Sequence, residues 1–254
     1  MRSRLLGLLL FVLLVLLAMA VMWPASSLAP WVSEVSNNHW RLASAEGRLW
    51  NGKGVLLART GDSAIWHSAQ NVRWEARWSE LWRGRVGVEA GFDQGGALLM
   101  VGPEGLYIEQ LDTTLGTALV GVLLPGALGR YGWAGTLQAR GKDFNCAWKS
   151  RTCQGEIELL WRNAGVAELL GGELGDYRIR LAGEGQTLRV DLATLGGRLQ
   201  IAGNGEVSAN GVRFNGEAGA TGPDAASLNN ILRTIGRPGA TPGRYTIDYR
   251  GSGF

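Results

Sequence analysis

The chain has 254 residues, a formal net charge of +3 and scattered basic residues without a basic, aromatic-interleaved block, which excludes a nucleic-acid-binding module. Glycine (39) is about twice its ordinary usage of ~7% and shows no collagen-like period, while tryptophan (11) is also abundant. Two cysteines and two histidines leave little room for a metal centre.

Met1-Arg2-Ser3-Arg4 opens the chain, and the run from Leu5 to Trp23, including Leu13, carries no charge. Nineteen residues of helix cover roughly 28 Å, close to the thickness of a bilayer core. Arg2 and Arg4 precede the run, and the first charge after it is Glu34. The positive-inside rule then keeps the N-terminus cytoplasmic and exports the rest, with Trp23 and Trp31 as interfacial aromatics. Ala18-Met19-Ala20 offers a cleavage-site reading as an alternative. An uncleaved signal anchor is preferred, because the run exceeds a usual signal h-region and Val21-Met22-Trp23-Pro24 is a poor mature start. The organisation expected is a cytoplasmic tail over 1–4, a transmembrane anchor over 5–23, a linker over 24–39, a first β-unit over 40–126 and a second over 127–254.

Beyond the linker, short segments of period 2 follow one another almost without a break. Val72, Trp74, Ala76 and Trp78 alternate with Arg73, Glu75 and Arg77, and Tyr177-Arg-Ile-Arg-Leu181 and Leu188-Arg-Val-Asp-Leu192 repeat the pattern. The polar members read as a solvated sheet face. Glycine pairs at 95–96, 171–172 and 196–197 read as turn punctuation, and Gly203-x-Gly205 as a further turn. The fold class expected is mainly β: an N-terminal transmembrane helix and then a twisted antiparallel β-meander of two related units with two short helices. One helix is predicted from Leu115, Ala118, Leu119 and Val122, after Thr113 and Thr114. The other is predicted from Leu228, Ile231, Leu232 and Ile235, with Asp224 as cap and Gly236 at the C′ position. Ser79-Glu-Leu-Trp82 reads as a single turn.

Cys146 and Cys153 lie between two alternating runs, Trp133-x-Gly135-x-Leu137 and Ile157-x-Leu159-x-Trp161. The stretch reads as a hairpin with a long stapled turn, and in an exported domain the pair reads as a structural disulfide. C-x6-C without a nearby histidine is neither a zinc spacing nor a C-x-x-C redox motif. A weak internal repeat relates Gly47-Arg-Leu-Trp50-Asn-Gly52, followed by Trp74, to Gly132-Trp133-Ala-Gly135-Thr-Leu137, followed by Trp161. Trp50, Trp74, Trp78, Trp133 and Trp161 read as an apolar core, with a hydrophobic groove as the alternative. His39 and His67 have no spaced partners, and no nucleophile elbow, P-loop or H-E-x-x-H occurs. An enzyme is not expected, nor a cofactor or a metal.

Several of these features occur together in one family. They are the N-terminal anchor, G-x-L-W-N-G at 47–52, W-x-G-x-L at 133–137, and C-x6-C followed by G-E-I-x-L-x-W-R-N-A at 155–164. Leu-Gly-Asp-Tyr at 174–177 and Gly-Arg-Tyr-x-Ile at 243–247 complete the pattern. The chain resembles type II secretion system protein N of Gram-negative bacteria over nearly its whole length. The resemblance implies a bitopic inner-membrane protein with a periplasmic β-domain, non-enzymatic, whose partners are other secretion components of the inner membrane and periplasm. A second expectation is a lipid-handling or envelope-bridging protein similar in style to strand-rich AsmA-type envelope proteins.

Overall fold

The computed structural model describes residues 2–36, 38–59, 66–116, 133–166, 172–223 and 225–251. Helix α1 (Arg2–Val21) is followed by a 3-10 turn (Ala25–Ser27) and helix α2 (Leu28–Val35), within the segment expected to be a linker. The described side chains of α1, among them Leu8, Leu9, Leu10, Phe11, Val12 and Leu14, are exposed. Those of Leu5 and Leu13 lie outside the described residues. Among the described residues no helix is long and apolar enough to cross a membrane.

Among the described residues, the strands that follow form one sheet. Its strands are β1 (Trp40–Arg48), β2 (Asn51–Ala58), β3 (His67–Arg77), β4 (Val86–Phe92), β5 (Gln94–Val101), β6 (Gly105–Gly116) and β7 (Trp133–Ala147). They continue as β8 (Thr152–Val166), β9 (Gly172–Gly185), β10 (Thr187–Gly197), β11 (Leu199–Ser208) and β12 (Gly211–Ala220). Helix α3 (Ala225–Ile235) then precedes β13 (Arg237–Pro238) and β14 (Arg244–Gly251). The fourteen strands pair antiparallel in chain order, except that β14 lies between β12 and β13. Short connections explain this topology, because antiparallel neighbours can be joined by a tight turn whereas parallel ones need a crossover. At about 4.8 Å per spacing, the sheet measures roughly 60 Å from one edge to the other.

A meander has two rims. The β1–β2, β3–β4, β5–β6, β7–β8, β9–β10 and β11–β12 connections share the first, and α3 lies on the second with the intervening connections. Register shifts interrupt the β1–β2, β2–β3, β5–β6, β7–β8, β8–β9 and β9–β10 pairs. Bulges of this kind bend strands and increase twist. Curvature brings strands that are not hydrogen-bonded neighbours together. Gln70 of β3 donates to the carbonyl of Thr114 in β6 at 2.9 Å, and Tyr177 of β9 donates to the carbonyl of Leu199 in β11 at 2.9 Å.

The helix expected to begin at Leu115 is not formed there: Leu115 and Gly116 end β6, where Leu115 pairs with Leu137. Burial in a strand pair overrides the helical spacing of a short apolar run. Residues 117–122 of that reading, and the 126/127 unit boundary, lie outside the described residues. The second helix forms as α3; Leu228 and Leu232 are buried, and the Gly236 N–H bonds the Leu232 carbonyl at 2.8 Å. Its expected cap, Asp224, lies outside the described residues. Gly203 and Gly205 are inside β11 rather than at a turn, with the Phe214 ring lying over them. The stapled turn is shorter than expected, since both cysteines belong to strands and only Trp148–Arg151 separates β7 from β8.

Candidate functional site

Alternation sends each strand's apolar residues to one face, and the register aligns them. Trp74, Ala90, Ala97, Leu111, Gly141, Ile157, Leu181, Val190, Gly205, Phe214 and Tyr249 stand opposite one another in an unbroken row from β3 to β14. Leu111, Ile157, Leu181 and Val190 in this row are only half-buried. Deeper burial occurs toward the second rim. There Leu137, Trp161, Ala164 and Tyr177 pack with Leu115, Leu192 and Ile201, and α3 inserts Leu228 against Val166 and Leu174 and Leu232 against Ala218 and Tyr245.

The opposite face is a charge ladder. Glu46, Lys53, Arg73, Gly91, Gly96, Asp112, Arg140, Glu158, Arg180, Asp191, Asn204, Asn215 and Asp248 are successive cross-strand partners. Opposite charges meet at Lys53–Glu46 (3.0 Å), Arg140–Asp112 (3.5 Å) and Arg180–Glu158 (3.6 Å). Exposed pairs of this kind contribute ~0–1 kcal/mol each. Their role here is to keep the face soluble and to hold the register that sends the apolar set inward. A concavity of about 800 Å³ on this face is lined by Arg73, Glu75, Arg77, Glu89, Gln110 and Asp112, of mixed sign.

The five tryptophans singled out from the sequence divide between the rims. Trp50 and Trp78 contact at 5.0 Å on the first rim, where Trp74 donates its indole N–H to the Leu49 carbonyl at 2.9 Å. The Trp74 ring lies over β2 at Gly52, where a Cβ would approach to 2.6 Å; only glycine admits the ring there. Trp133 and Trp161 contact at 5.2 Å toward the second rim, and Trp161 donates to the Ala134 carbonyl at 3.1 Å. Trp161 also approaches Tyr177 at 6.1 Å. Trp74 and Trp161 thus each donate an indole N–H to a backbone carbonyl, at opposite rims, because β3 and β8 run in opposite directions.

Cys146 and Cys153 are directly opposed in β7 and β8 and form a disulfide. The turn they staple presents Trp148, whose indole N–H bonds the Gly102 carbonyl at 3.0 Å while its backbone N–H bonds that of Glu104 at 3.0 Å. Tyr177 is buried, and burial first, then the neighbouring Asp176 charge, push its phenol well above the ordinary range. Asp176 is held below the usual carboxylate range by the Asn163 backbone N–H (2.8 Å) and then by Arg162 (3.0 Å). His39 bonds the Ser36 carbonyl through Nδ1 at 2.9 Å, closing the end of α2; the side chain of His67 lies outside the described residues. Among the described residues no three His, Cys, Asp or Glu side chains converge as metal ligands.

The residues missed in the sequence are Trp82 and Trp148. Trp82 is 95% exposed and Trp148 52%. The signal available was an apolar Leu81-Trp82 pair inside a polar turn, and a tryptophan between the two cysteines.

Among the described residues, a fourteen-stranded antiparallel meander with one apolar and one charged face defines a mainly β protein stapled by a disulfide. Residues 38–248 match the family model of Type II secretion system (T2SS), protein N, and the chain belongs to that family. No curated protein and no solved structure matches it. The protein is therefore a type II secretion component.

Proposed function

We propose that the protein is a non-enzymatic inner-membrane part of the type II secretion apparatus, supporting export of folded proteins across the outer membrane. The family match over 38–248 carries this reading. Residues 5–23 cross the inner membrane on this reading, with the N-terminus cytoplasmic and the β-domain periplasmic. Supporting it are the Arg2/Arg4 flank, the uncharged run and a disulfide suited to an oxidising compartment. Residues 40–126 and 127–254 are its two related β-units.

Contact with other secretion components uses the free edge of β14. Among the described residues, β14 pairs with β12 from Arg244 to Gly251, whereas β13 covers it only at Tyr245 and Thr246. An open edge is a template for strand addition. In-cell crosslinking from a photo-reactive residue at Asp248, followed by purification, is expected to recover inner-membrane or periplasmic secretion components. Recovery of the protein alone, while those components crosslink to one another, refutes the reading.

The half-buried apolar row from β3 to β14 favours a second reading, binding of lipid along that face in the manner of AsmA-type proteins. Native mass spectrometry of the detergent-purified full chain tests it: a retained phospholipid supports it, and the bare mass after release from detergent removes it.

A further inference from the structure

We propose that the first rim of the sheet is a membrane-docking edge, seated on the anionic phospholipid surface of the leaflet from which α1 emerges. This rests on the reading of residues 5–23 as a membrane span.

The geometry begins at the end of α1. The Leu49 N–H in the β1–β2 turn bonds the Trp23 carbonyl at 2.8 Å, and Pro24 bridges Arg48. The domain is thus held directly at the helix end, without a slack tether. Any surface sharing this rim is kept near the interface.

That rim carries the exposed aromatics. The β3–β4 connection is a 3-10 turn (Trp78–Arg83) that displays Trp78, Leu81 and Trp82. The turn is rigid. Glu80 points inward, is buried, and pairs with Arg83 and Arg85 at 2.9 Å each, while Gly84 closes the turn at φ +70°. Further along, Trp148 at the stapled β7–β8 turn is half exposed, with its indole N–H held by the Gly102 carbonyl, roughly 30 Å from β1 at the spacing of paired strands. A near-fully exposed tryptophan on a rigid turn is unfavourable in water and suited to a bilayer interface, where the ring is buried and its N–H stays wet.

Charge agrees with this. Lys149 and Arg151 follow Trp148 at the stapled tip and Glu80 pairs with two arginines, while Glu104 in the adjoining β5–β6 turn is the acidic residue beside Trp148. Basic residues beside interfacial aromatics bind anionic headgroups. The strand ends at Ala58, Gly116 and Val166 lie on the opposite rim.

The test uses the full-length protein in vesicles of phosphatidylethanolamine and phosphatidylglycerol. Single cysteines are introduced as Trp82→Cys and Lys149→Cys, with the native disulfide kept, and labelled with an environment-sensitive fluorophore. Asn230→Cys on α3, at the opposite rim, is the control. Positions 82 and 149 are expected to show blue-shifted emission and quenching by bromine-labelled phospholipid, with position 230 unshifted. Carbonate extraction of the same vesicles reports the span separately. Retention of the chain with water-like emission at 82 and 149 overturns docking while the span stands. Loss of the chain with water-like emission overturns both. A shift seen only when secretion components are present, and absent in pure lipid, assigns the rim to a protein partner and overturns docking. If labelling disturbs the turn, a decrease in lipid quenching of intrinsic fluorescence in unlabelled Trp82→Ala, Trp148→Phe protein serves as the readout, the share from Trp23 and Trp31 remaining, and unchanged quenching overturns the proposal.

Discussion

The indole N–H of Trp161 bonds the carbonyl of Ala134 at 3.1 Å, within the strand pair that carries the deepest part of the core. The bond occurs where the register of β7 and β8 shifts between Ala134 and Thr136, and it occupies a carbonyl beside that bulge. Trp161 therefore fills volume and satisfies a backbone acceptor together. Trp161→Phe is expected to cost about 1–2 kcal/mol, since the ring packing is largely kept and the bond is lost. Trp161→Ala is expected to cost about 3–5 kcal/mol. Urea unfolding followed by far-UV circular dichroism measures both.

Gly135 sits in that same bulge at φ +111°, with a Cβ position 2.4 Å from the Arg162 carbonyl. Gly135→Ala meets both left-handed strain and a backbone clash, and is expected to lose about 2 kcal/mol. Gly84→Ala serves as comparison, because Gly84 also has positive φ but open space around its Cβ; its loss is expected to be about 1 kcal/mol. Equal losses measured by urea unfolding would show that the clash adds nothing.

The disulfide closes a short loop, with a sequence separation of 7. Chain entropy puts its contribution at about 2.5 kcal/mol. Cys146→Ser with Cys153→Ser is expected to lower Tm by about 5–10 °C while leaving the far-UV spectrum unchanged, because β7 and β8 are paired along their length without it. Differential scanning calorimetry checks the shift, and thiol titration of native protein is expected to find no free sulfhydryl.

Tyr177 and Asp176 make opposite pH predictions. The Tyr177 hydroxyl is raised by burial, so its folded-state pKa exceeds the value of ~10 in the unfolded chain. Its contribution is fully present below about pH 10 and is lost as pH rises above that value. Tyr177→Phe is expected to flatten this alkaline limb and to lose about 1 kcal/mol at neutral pH with the bond to Leu199. Asp176 is depressed, so its contribution is present above about pH 4 and is lost as pH falls through the lower folded-state value. Asp176→Ala is expected to flatten the acid limb. Unfolding at a series of pH values separates the two residues.

Period-2 alternation made the strands legible, because a half-buried sheet needs that pattern, and Arg178-x-Arg180 beside Tyr177-x-Ile179 could be nothing else. The G-x-L-W-N-G and C-x6-C motifs led to the family, which the match over 38–248 bears out. The first two positions of the helix expected from Leu115 lie in β6 instead, because a spacing of i, i+3, i+4, i+7 over so few residues also fits a strand and Leu115 pairs with Leu137 across the sheet; positions 117–122 lie outside the described residues. The glycines of β11 read as a turn because nothing local announces the Phe214 ring that covers them.

Sequence by itself determined that the chain is mainly β, that its apolar and charged residues separate onto two faces, and that its cysteines pair. These follow from local periodicity and from the chemistry of two thiols with six residues between them. Tertiary structure decided which residues share a rim. Trp23, Trp82 and Trp148 are far apart in sequence and gather on one rim only because an antiparallel meander returns every second connection to the same side. Burial was decided there too, since Leu137, Trp133 and Tyr177 from paired strands cover Trp161 while Trp82 lies on a connecting turn in solvent, although both are tryptophans beside a leucine.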